Sequence, residues 1–375
     1  MPIDPKQLIE LTDAALAADY TRVRRAANAL ARDFSKAGND EVANAIRSIV
    51  KKRGVPLRTS GYVESLPVDS KSRLPLVEEQ QWPSNPIFLN DDANRVFNDF
   101  LSDVTHVAKL DEKGLASRLG LLLSGPPGTG KTLLAGHVAA RLNRPFYVVR
   151  LDSVISSLLG DTAKNIRSVF DFVPARDAVL FLDEMDAVAK LRDDQHELGE
   201  LKRVVNTVIQ GLDALDAHAV VIGATNHAHL LDPAIWRRFP YKIELGNPEI
   251  EVRSDLWKHF LFDDKDGSMF SDIFAVISDG LSGADIETAA LTARRHALVD
   301  DRDLDLGAVA LAIVSSRAGR PTLPQKAPLD PDQKKQLAVS LKERCNLSGA
   351  DIARIIGVTR QAVYLYLKPE GDQNG

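Results

Sequence analysis

Cysteine is nearly absent from this chain, which has 375 residues and a single cysteine, Cys345. One cysteine excludes an internal disulfide and cannot form a metal site by itself, which fits a reducing compartment. We expect Cys345 to be a small buried apolar residue. The first residues carry charges at Asp4 and Glu10 and no long apolar run, so neither a secretion signal nor a membrane span is expected. These absences predict a cytoplasmic protein.

A strong charge of one sign is also missing. The formal net charge is −5, so the composition as a whole does not indicate nucleic-acid binding, and any DNA contact must come from a local patch. Internal repeats and low-complexity tracts are absent as well. With 44% hydrophobic residues, the chain is long enough for two or three domains and a sizeable core.

Apolar spacing and proline clusters divide the chain into segments. Alternating strand and helix patterns up to about Gly246 predict an α/β fold with a doubly wound parallel sheet. A helix from Asp91 to His106 is expected to lead into it, and helical spacing predicts all-α units at both ends. The expected segments are a helical N-domain at 1–55, a linker or extended arm at 56–93, an α/β subdomain at 94–248, a helical subdomain at 249–320, a linker at 321–331, and a last helical unit with its tail at 332–375.

A glycine-rich loop follows the first strand of the α/β segment. Residues 125–132 read Gly-Pro-Pro-Gly-Thr-Gly-Lys-Thr, after an apolar run and before a helical pattern. Strand, loop and helix in this order are typical of a P-loop, whose backbone N–H groups cradle a polyphosphate. Lys131 would neutralise the β- and γ-phosphates, and the Thr132 hydroxyl would ligate Mg²⁺. The residues expected to bind the nucleotide are Gly125, Pro126, Pro127, Gly128, Thr129, Gly130, Lys131, Thr132 and Leu133.

A second apolar strand ends in carboxylates at Asp183, Glu184 and Asp186. In a parallel sheet the carboxyl end of this strand faces the ligand crevice. Asp183 can therefore hold Mg²⁺ through water, while Glu184 polarises the water that attacks the γ-phosphate. For Asp186, capping of the next helix is an alternative role.

The next strand ends at Asn226, at the height expected for the γ-phosphate, so Asn226 could hold the attacking water together with Glu184. Arg237 and Arg238 follow within the sequence Asp-Pro-Ala-Ile-Trp-Arg-Arg-Phe at 232–239. Two guanidinium groups beside a helix end could reach the nucleotide of a neighbouring subunit and neutralise charge in the transition state. Solvated surface arginines are the alternative.

The order of these motifs resembles the AAA branch of the AAA+ ATPases. The matching stretches are GPPGTGKT (125–132), VLFLDEMD (179–186), RVVNTVIQGLDAL (203–215), VVIGATN (220–226), DPAIWRRF (232–239) and LSGADIETAALTARRHAL (281–298). The WRRF form is most similar to spastin and katanin. Over residues 94–318 the resemblance implies an α/β wedge with a helical lid, a hexameric ring with ATP bound between subunits, and arginines acting in trans. It also implies that Gly283 and Ala284 lie near the base and ribose.

One stretch departs from the protein-threading members of that family. Leu158, Leu159 and Gly160 stand where those members carry an aromatic residue, an aliphatic residue and glycine facing the central pore. Leucine offers less contact area than an aromatic ring and no π-face for gripping a peptide. A pore loop and a plain loop with buried leucines therefore both remain open. The charged stretch 190–196 falls where a second pore loop would lie, or is a solvated loop.

The end of the chain has a helix-turn-helix pattern. Ala353 allows close helix approach, Gly357 makes the turn, and apolar residues at 352, 356, 358 and 363 form a seam. The pattern is similar to a common bacterial DNA-binding form with a Gly-Val-Ser/Thr-Arg-Gln recognition helix. A packing module is the alternative, because the segment is only weakly basic. The candidates for contacts with double-stranded DNA are Thr359, Arg360, Gln361 and Tyr364.

The sequence thus predicts a Mg²⁺-dependent ATPase that forms a homo-oligomer, a hexamer by resemblance, and remodels a macromolecule. Three hypotheses for its partner remain open. The first is a motor addressed to DNA by the C-terminal unit. The second is a protein remodeller or unfoldase, working with a partner protease or effector. The third is a regulatory switch that assembles on ATP; none of the three involves a membrane.

Overall fold

The computed structural model describes residues 66–69, 73–156, 162–172, 177–187, 198–216, 218–265, 268–316 and 321–368, and short helical stretches between 27 and 44. The chain divides into two compact units, Met1–Leu66 and Pro67–Gly375. In the first unit, the described residues Leu30, Ala31 and Ala43 are helical and buried. Most of the predicted N-domain, the pore-loop residues Leu158, Leu159 and Gly160, and the charged stretch 190–196 lie outside the described residues.

The second unit contains a six-stranded sheet. Its strands, in the spatial order β1-β3-β4-β5-β2-β6, are all parallel except the edge strand β1, which pairs antiparallel with β3. This confirms the predicted α/β class with a mostly parallel sheet. The strands are β1 (Glu78–Gln80), β2 (Gly120–Ser124), β3 (Phe146–Arg150), β4 (Val179–Asp183), β5 (Val220–Thr225) and β6 (Tyr241–Glu244).

Continuous apolar runs form the central strands because both faces of the sheet are covered. Every residue of β2 and β5 is buried. The helices of this part are α1 (Asp91–Thr105), α2 (Val107–Glu112), α3 (Lys131–Leu142), α4 (Leu151–Ser156), α5 (Thr162–Phe172), α6 (Leu198–Ala214) and α7 (Pro233–Trp236). Helices α1 and α3 pack on one face, against Leu121 and Leu123 of β2. On the other face, the side chains of Leu122, Met185 and Phe239 surround Gly223.

The segment that the sequence predicts to be a linker or extended arm contains β1 and is attached to the sheet domain. Asp69 is buried and accepts a 2.6 Å hydrogen bond from the Asn165 side chain on α5. Farther along, the indole N–H of Trp82 donates to the Arg144 carbonyl at 2.9 Å. The described part of this segment is therefore part of the α/β unit's packing.

Helices that follow the sheet form a second core. They are α8 (Ile250–Phe262), α9 (Ser268–Ile277), α10 (Gly283–Val299), α11 (Leu306–Ser315), α12 (Pro331–Cys345), α13 (Gly349–Ile356) and α14 (Arg360–Leu367). Trp257 and Phe274 of the lid helices α8–α11 share one hydrophobic cluster with Leu341, Ile352 and Val363 of the C-terminal helices α12–α14. Pro321, Pro324 and Pro328 precede α12, and Pro331 is its first residue. The described residues of the C-terminal helices pack in the same hydrophobic cluster as the lid.

Candidate active site

A cleft of the second unit lies at the carboxyl ends of the parallel strands. Its volume is about 460 Å³, within the usual range for a small-molecule site. The walls come from the glycine loop, the ends of β4, β5 and β6, the start of α10, and residues 85–90 of the arm. Predicted site residues that line this cleft are Pro127, Gly128, Thr129, Gly130, Lys131, Thr132, Leu133, Asp183, Glu184, Asn226, Gly283 and Ala284.

The glycine loop has the backbone conformation that its sequence requires. Gly125, Gly128 and Gly130 have φ values of 144°, 81° and 90°. Residues that carry a Cβ rarely adopt these values. A Cβ on Gly125 would clash with the Leu245 carbonyl oxygen. Gly130 caps α3, so the loop and the positive end of that helix face the same point of the cleft.

Lys131 lies within the glycine loop. Its Nζ donates to the carbonyl oxygens of Gly125 and Pro126, both at 2.8 Å. Burial lowers the pKa of Lys131, while the negative charges of Asp183 and Asp186 act in the opposite direction. The Lys131 side chain is thus held against the backbone of the loop that would bind a polyphosphate.

Two oxygen ligands for a hard cation meet at the end of β4. The Thr132 hydroxyl donates a long hydrogen bond of 3.5 Å to Asp183 Oδ2. The other oxygen of Asp183 accepts from the Glu184 backbone N–H at 2.8 Å. A hydroxyl and a carboxylate at this separation fit Mg²⁺, which takes few protein ligands and completes its shell with phosphate and water oxygens.

Glu184 has an unusual backbone and an acidic neighbourhood. Its φ of 55° lies in the left-handed region, which non-glycine residues adopt mostly where surrounding contacts enforce it. Burial and a hydrogen bond with the Asp152 carboxyl raise the pKa of Glu184, and the charges of Asp152, Asp183 and Asp186 add to the effect. A carboxylate with a raised pKa is suited to accept a proton.

Asp186 is buried and connects β4 to the end of β5. Its Oδ1 accepts hydrogen bonds from the Thr225 hydroxyl at 3.1 Å and from the Asn226 backbone N–H at 3.2 Å. Asp186 thus fixes the position at which the Asn226 side chain enters the cleft, beside Glu184.

Arg237 and Arg238 differ in their surroundings. Arg237 is exposed, and no hydrogen bond or ion pair of its side chain is found among the described residues. The guanidinium of Arg238 donates to both carboxylate oxygens of Asp213, at 3.2 and 3.0 Å, and to the Ala234 carbonyl at 2.9 Å. Arg118 donates to the same Asp213 carboxylate at 2.7 Å. These contacts lower the pKa of Asp213 and raise that of Arg238.

Both arginines lie far from the glycine loop of their own chain. A Cβ on Gly120, the first residue of β2, would be 2.8 Å from the Arg238 carbonyl oxygen. The glycine loop follows Ser124, the last residue of that strand. Ser124 is about 13 Å from Gly120, because a strand rises about 3.3 Å per residue. This end of the sheet faces away from the cleft.

The family model for "ATPase family associated with various cellular activities (AAA)" matches residues 121–247, the stretch that holds the glycine loop, Asp183, Glu184, Asn226 and both arginines. Residues 121–247 form an AAA ATPase domain.

Curated relatives of this AAA domain are similar over part of their length. An uncharacterized AAA family ATPase, y4kL of Sinorhizobium fredii, is 42% identical over 46% of this chain and 52% of its own length. A proteasome-activating nucleotidase of Sulfurisphaera tokodaii is 32% identical over 66% of this chain and 64% of its own. The ATP-dependent zinc metalloprotease FtsH 2 of Sorangium cellulosum is 36% identical over 52% of this chain and 35% of its own. The matches therefore span less than two thirds of each of these relatives.

The helices after the AAA domain contact it at the glycine loop. The Ala284 backbone N–H donates to the Gly128 carbonyl at 3.2 Å. A Cβ on Gly128 would lie 2.8 Å from Ser282 Oγ, so the loop and the start of α10 are in close contact. Ser282 and Asp285 form a capping box that fixes this helix start.

The C-terminal candidates are brought to one surface. Helices α13 and α14 are joined by a short turn at Gly357, whose φ is 71°. Arg360, Gln361 and Tyr364 are exposed, while Val363 is buried. The Thr359 hydroxyl accepts from the Ala362 backbone N–H at 3.2 Å and so caps α14.

Several residues of the site were not predicted. Asp152 follows the end of β3 and could have been found by the rule that identified Asp183, because the carboxyl ends of parallel strands meet at one edge. The arm residues 85–90 and Glu287 of α10 line the cleft without a motif that would have revealed them. Asn85 donates to the Glu287 carboxylate at 3.1 Å and thereby links the arm to the lid.

No helix among the described residues has the length and apolar character needed to span a membrane. In the same part of the chain, no group of three or more histidine, cysteine or acidic side chains could by itself hold a metal ion.

Proposed function

We propose that this ATPase hydrolyses ATP with Mg²⁺, works as a hexameric ring and uses the energy to remodel a macromolecule. The observation that carries the proposal is the convergence of the glycine loop, Lys131, the Thr132–Asp183 pair, Glu184 and Asn226 on one cleft. The loop N–H groups and Lys131 would bind the phosphates. Thr132 and Asp183 would hold Mg²⁺, which when bound neutralises charge on the β- and γ-phosphates.

Glu184 and Asn226 would act on the attacking water. Glu184 takes a proton from this water while the water oxygen bonds to the γ-phosphorus. The bond between the γ-phosphorus and the β,γ-bridging oxygen breaks, which gives ADP and phosphate. The Asn226 amide orients the water from the neighbouring strand. The position of both side chains in the cleft supports these roles.

The test is Glu184→Gln, which preserves shape and removes the base. We expect nucleotide binding to remain and turnover to fall at least ~10²-fold, the usual size of a general-base contribution. The matched control is Glu112→Gln at an exposed position of α2. Turnover of Glu184→Gln at the rate of this control would remove Glu184 from its role.

We propose that the arginines act in trans, in the spastin and katanin form that WRRF resembles. The place of Arg238 beside Gly120, at the start of β2 and thus opposite the glycine loop, supports this. The relatives named as a proteasome-activating nucleotidase and an ATP-dependent metalloprotease favour a protein substrate for the ring. Leu158, Leu159 and Gly160 remain its proposed pore residues.

A second proposed function is binding of double-stranded DNA through α13 and α14. The exposure of Arg360, Gln361 and Tyr364 at the start of α14 supports it, since such residues contact bases and phosphates in helix-turn-helix proteins. We expect Arg360→Ala to weaken duplex binding at low salt and to lower the salt dependence, because one phosphate contact is lost. Lys109→Ala, on exposed α2, is the control. If both variants bind duplex DNA like the unmodified chain, or if no duplex binds, the role is packing or protein docking.

A further inference from the structure

The lid and the C-terminal helices are built around one hydrophobic cluster. Leu337 and Leu341 of α12, with Ile352 and Ile356 of α13, belong to the same cluster as Ala290 of α10. All five side chains are at most 5% exposed. A buried contact of this kind holds two helical units in one arrangement, because close-packed cores do not deform continuously.

Polar and backbone contacts reinforce the junction between the lid helices α8–α11 and the C-terminal helices α12–α14. The Arg344 guanidinium donates to the Val314 carbonyl at the end of α11, at 3.2 Å. A Cβ on Gly307, at the start of α11, would lie 3.1 Å from Leu329 Cδ1 and 3.5 Å from the Ile355 carbonyl oxygen. The backbones of α11 and α13 therefore approach each other too closely for a layer of solvent.

Helix α10 connects this junction to the nucleotide cleft. Its first residues, Gly283 and Ala284, line the cleft, and the Ala284 N–H donates to Gly128 of the glycine loop. Its later residues Ala289, Ala290 and Ala293 lie in the shared cluster. A helix of 17 residues is about 25 Å long, so one rigid element extends from the glycine loop into the cluster that the lid shares with the C-terminal helices.

The outer face of α14 points away from that cluster. Tyr364 and Leu365 are 65% and 64% exposed, and Lys368 places its ammonium 5.3 Å from the centre of the Tyr364 ring. Arg360 and Gln361 lie on the same exposed side. Two cations, an amide and an aromatic ring on one outward face can contact phosphates and base edges.

We propose that the outer face of α14 is a duplex-DNA surface carried rigidly by the lid, so that the nucleotide in the cleft sets how the α14 faces of neighbouring subunits are arranged and thereby how many of them one duplex contacts at once. The inference rests on the DNA function and the ring proposed above and adds their regulation. Any lid movement relative to the sheet moves α14 by the same rotation. Because coupling between two sites is reciprocal, DNA on α14 also changes the affinity of the cleft for nucleotide.

The test measures distances between spin labels in the full chain, carrying Glu184→Gln and Cys345→Ser so that the native cysteine is absent. Labels at Arg295→Cys and Leu365→Cys report on the junction. Labels at Arg95→Cys with Leu365→Cys, and at Arg95→Cys with Arg295→Cys, report on movement against the sheet domain; all three positions are exposed. We expect the first distance to be equal with ADP and with ATP–Mg²⁺, and the other two to change together. A change in the first distance, or no change in the other two, overturns the proposal.

A parallel measurement follows the fluorescence anisotropy of a labelled mixed-sequence duplex with protein that carries only Glu184→Gln, so that no label lies on the outer face of α14. We expect its affinity to differ at least about fivefold between ADP and ATP–Mg²⁺, the lower end of usual coupling. Equal affinity in the two states overturns the coupling even if the labels move. A duplex that binds in neither state refutes the DNA function itself and with it this proposal, while the ATPase assignment stands on its own assay.

Discussion

Asp152 and Glu184 show how neighbouring carboxylates tune the chemistry of the cleft. Asp152 follows β3 and Glu184 follows β4, and register pairing of Arg150 with Asp183 brings the two strand ends side by side. Asp152 also accepts a 2.6 Å hydrogen bond from the Ser153 backbone N–H, so its position is fixed. If Glu184 is the base proposed above, the charge and hydrogen bond of Asp152 affect the pH range in which it accepts a proton.

Asp152→Asn tests this inference through the pH dependence of hydrolysis. Asp152 raises the pKa of Glu184 through its hydrogen bond and its negative charge, so its neutral isostere should lower that pKa. Glu184 must be deprotonated to accept a proton, and the acid limb of the kcat profile should therefore move to lower pH. Asp171→Asn, exposed on α5, is the control. An acid limb that stays in place would show that Asp152 does not act on Glu184.

The element most completely predictable from sequence is the unit of β2, the glycine loop and α3. Each of its features is local: an apolar strand, glycines at positive φ and a helix start. The edge carboxylates Asp183 and Glu184 were also predictable, because one rule places the carboxyl ends of parallel strands together.

Other features depend on contacts between distant parts of the chain. Arg118, Asp213 and Arg238 meet only after β2, α6 and α7 are in place, so sequence spacing could not predict their pairing. The arm residues 85–90 have loop composition and no periodicity, yet they line the cleft. The prolines at 321–331 predict a linker, and such a pattern carries no information on which apolar faces pack together after it.

The turn between α13 and α14 offers a prediction on stability. Gly357 has a φ of 71° with no heavy atom within 4 Å of an added Cβ, so Gly357→Ala should destabilise by about 1 kcal/mol through backbone strain alone. Gly349→Ala is the matched control: its Cβ also meets nothing, and it begins α13 without positive φ, so it should be neutral or stabilising.

Urea unfolding followed by Trp257 fluorescence would measure both variants, with Trp82 and Trp236 replaced by phenylalanine. Trp257 is buried in the cluster that the lid shares with the C-terminal helices, so a strained turn 100 residues away should shift its transition. If the Trp257 transition has the same midpoint with and without Gly357→Ala, the lid helices and the C-terminal helices unfold independently.

The shared cluster also decides how DNA binding is best tested. A deletion after Pro331 would expose the hydrophobic core of the lid, so point variants in α14 are the better test.

The whole assembly can be tested through Arg237, the exposed member of the arginine pair. If Arg237 completes the site of a neighbour, the ATPase rate per subunit should rise with protein concentration, and Arg237→Ala should lose about 10³-fold or more while still binding nucleotide. Arg238 is held by Asp213 of its own chain, so we assign the direct contact in trans to Arg237. Arg95→Ala, at an exposed surface arginine, should leave the rate unchanged.

Mixing two inactive variants separates action in trans from loss of fold. Arg237→Ala subunits keep a complete cleft, and Glu184→Gln subunits keep the arginine, so a mixed ring contains junctions at which an intact cleft faces an intact Arg237. We expect hydrolysis to reappear on mixing, with a maximum at intermediate ratios, although neither variant alone turns over. Mixtures that remain inactive while size-exclusion chromatography shows co-assembly would place the role of Arg237 within its own subunit. If the Arg237→Ala variant hydrolyses ATP like the unmodified chain, the contact with the neighbour's nucleotide would fall to Arg238, which would have to leave Asp213 when the ring forms.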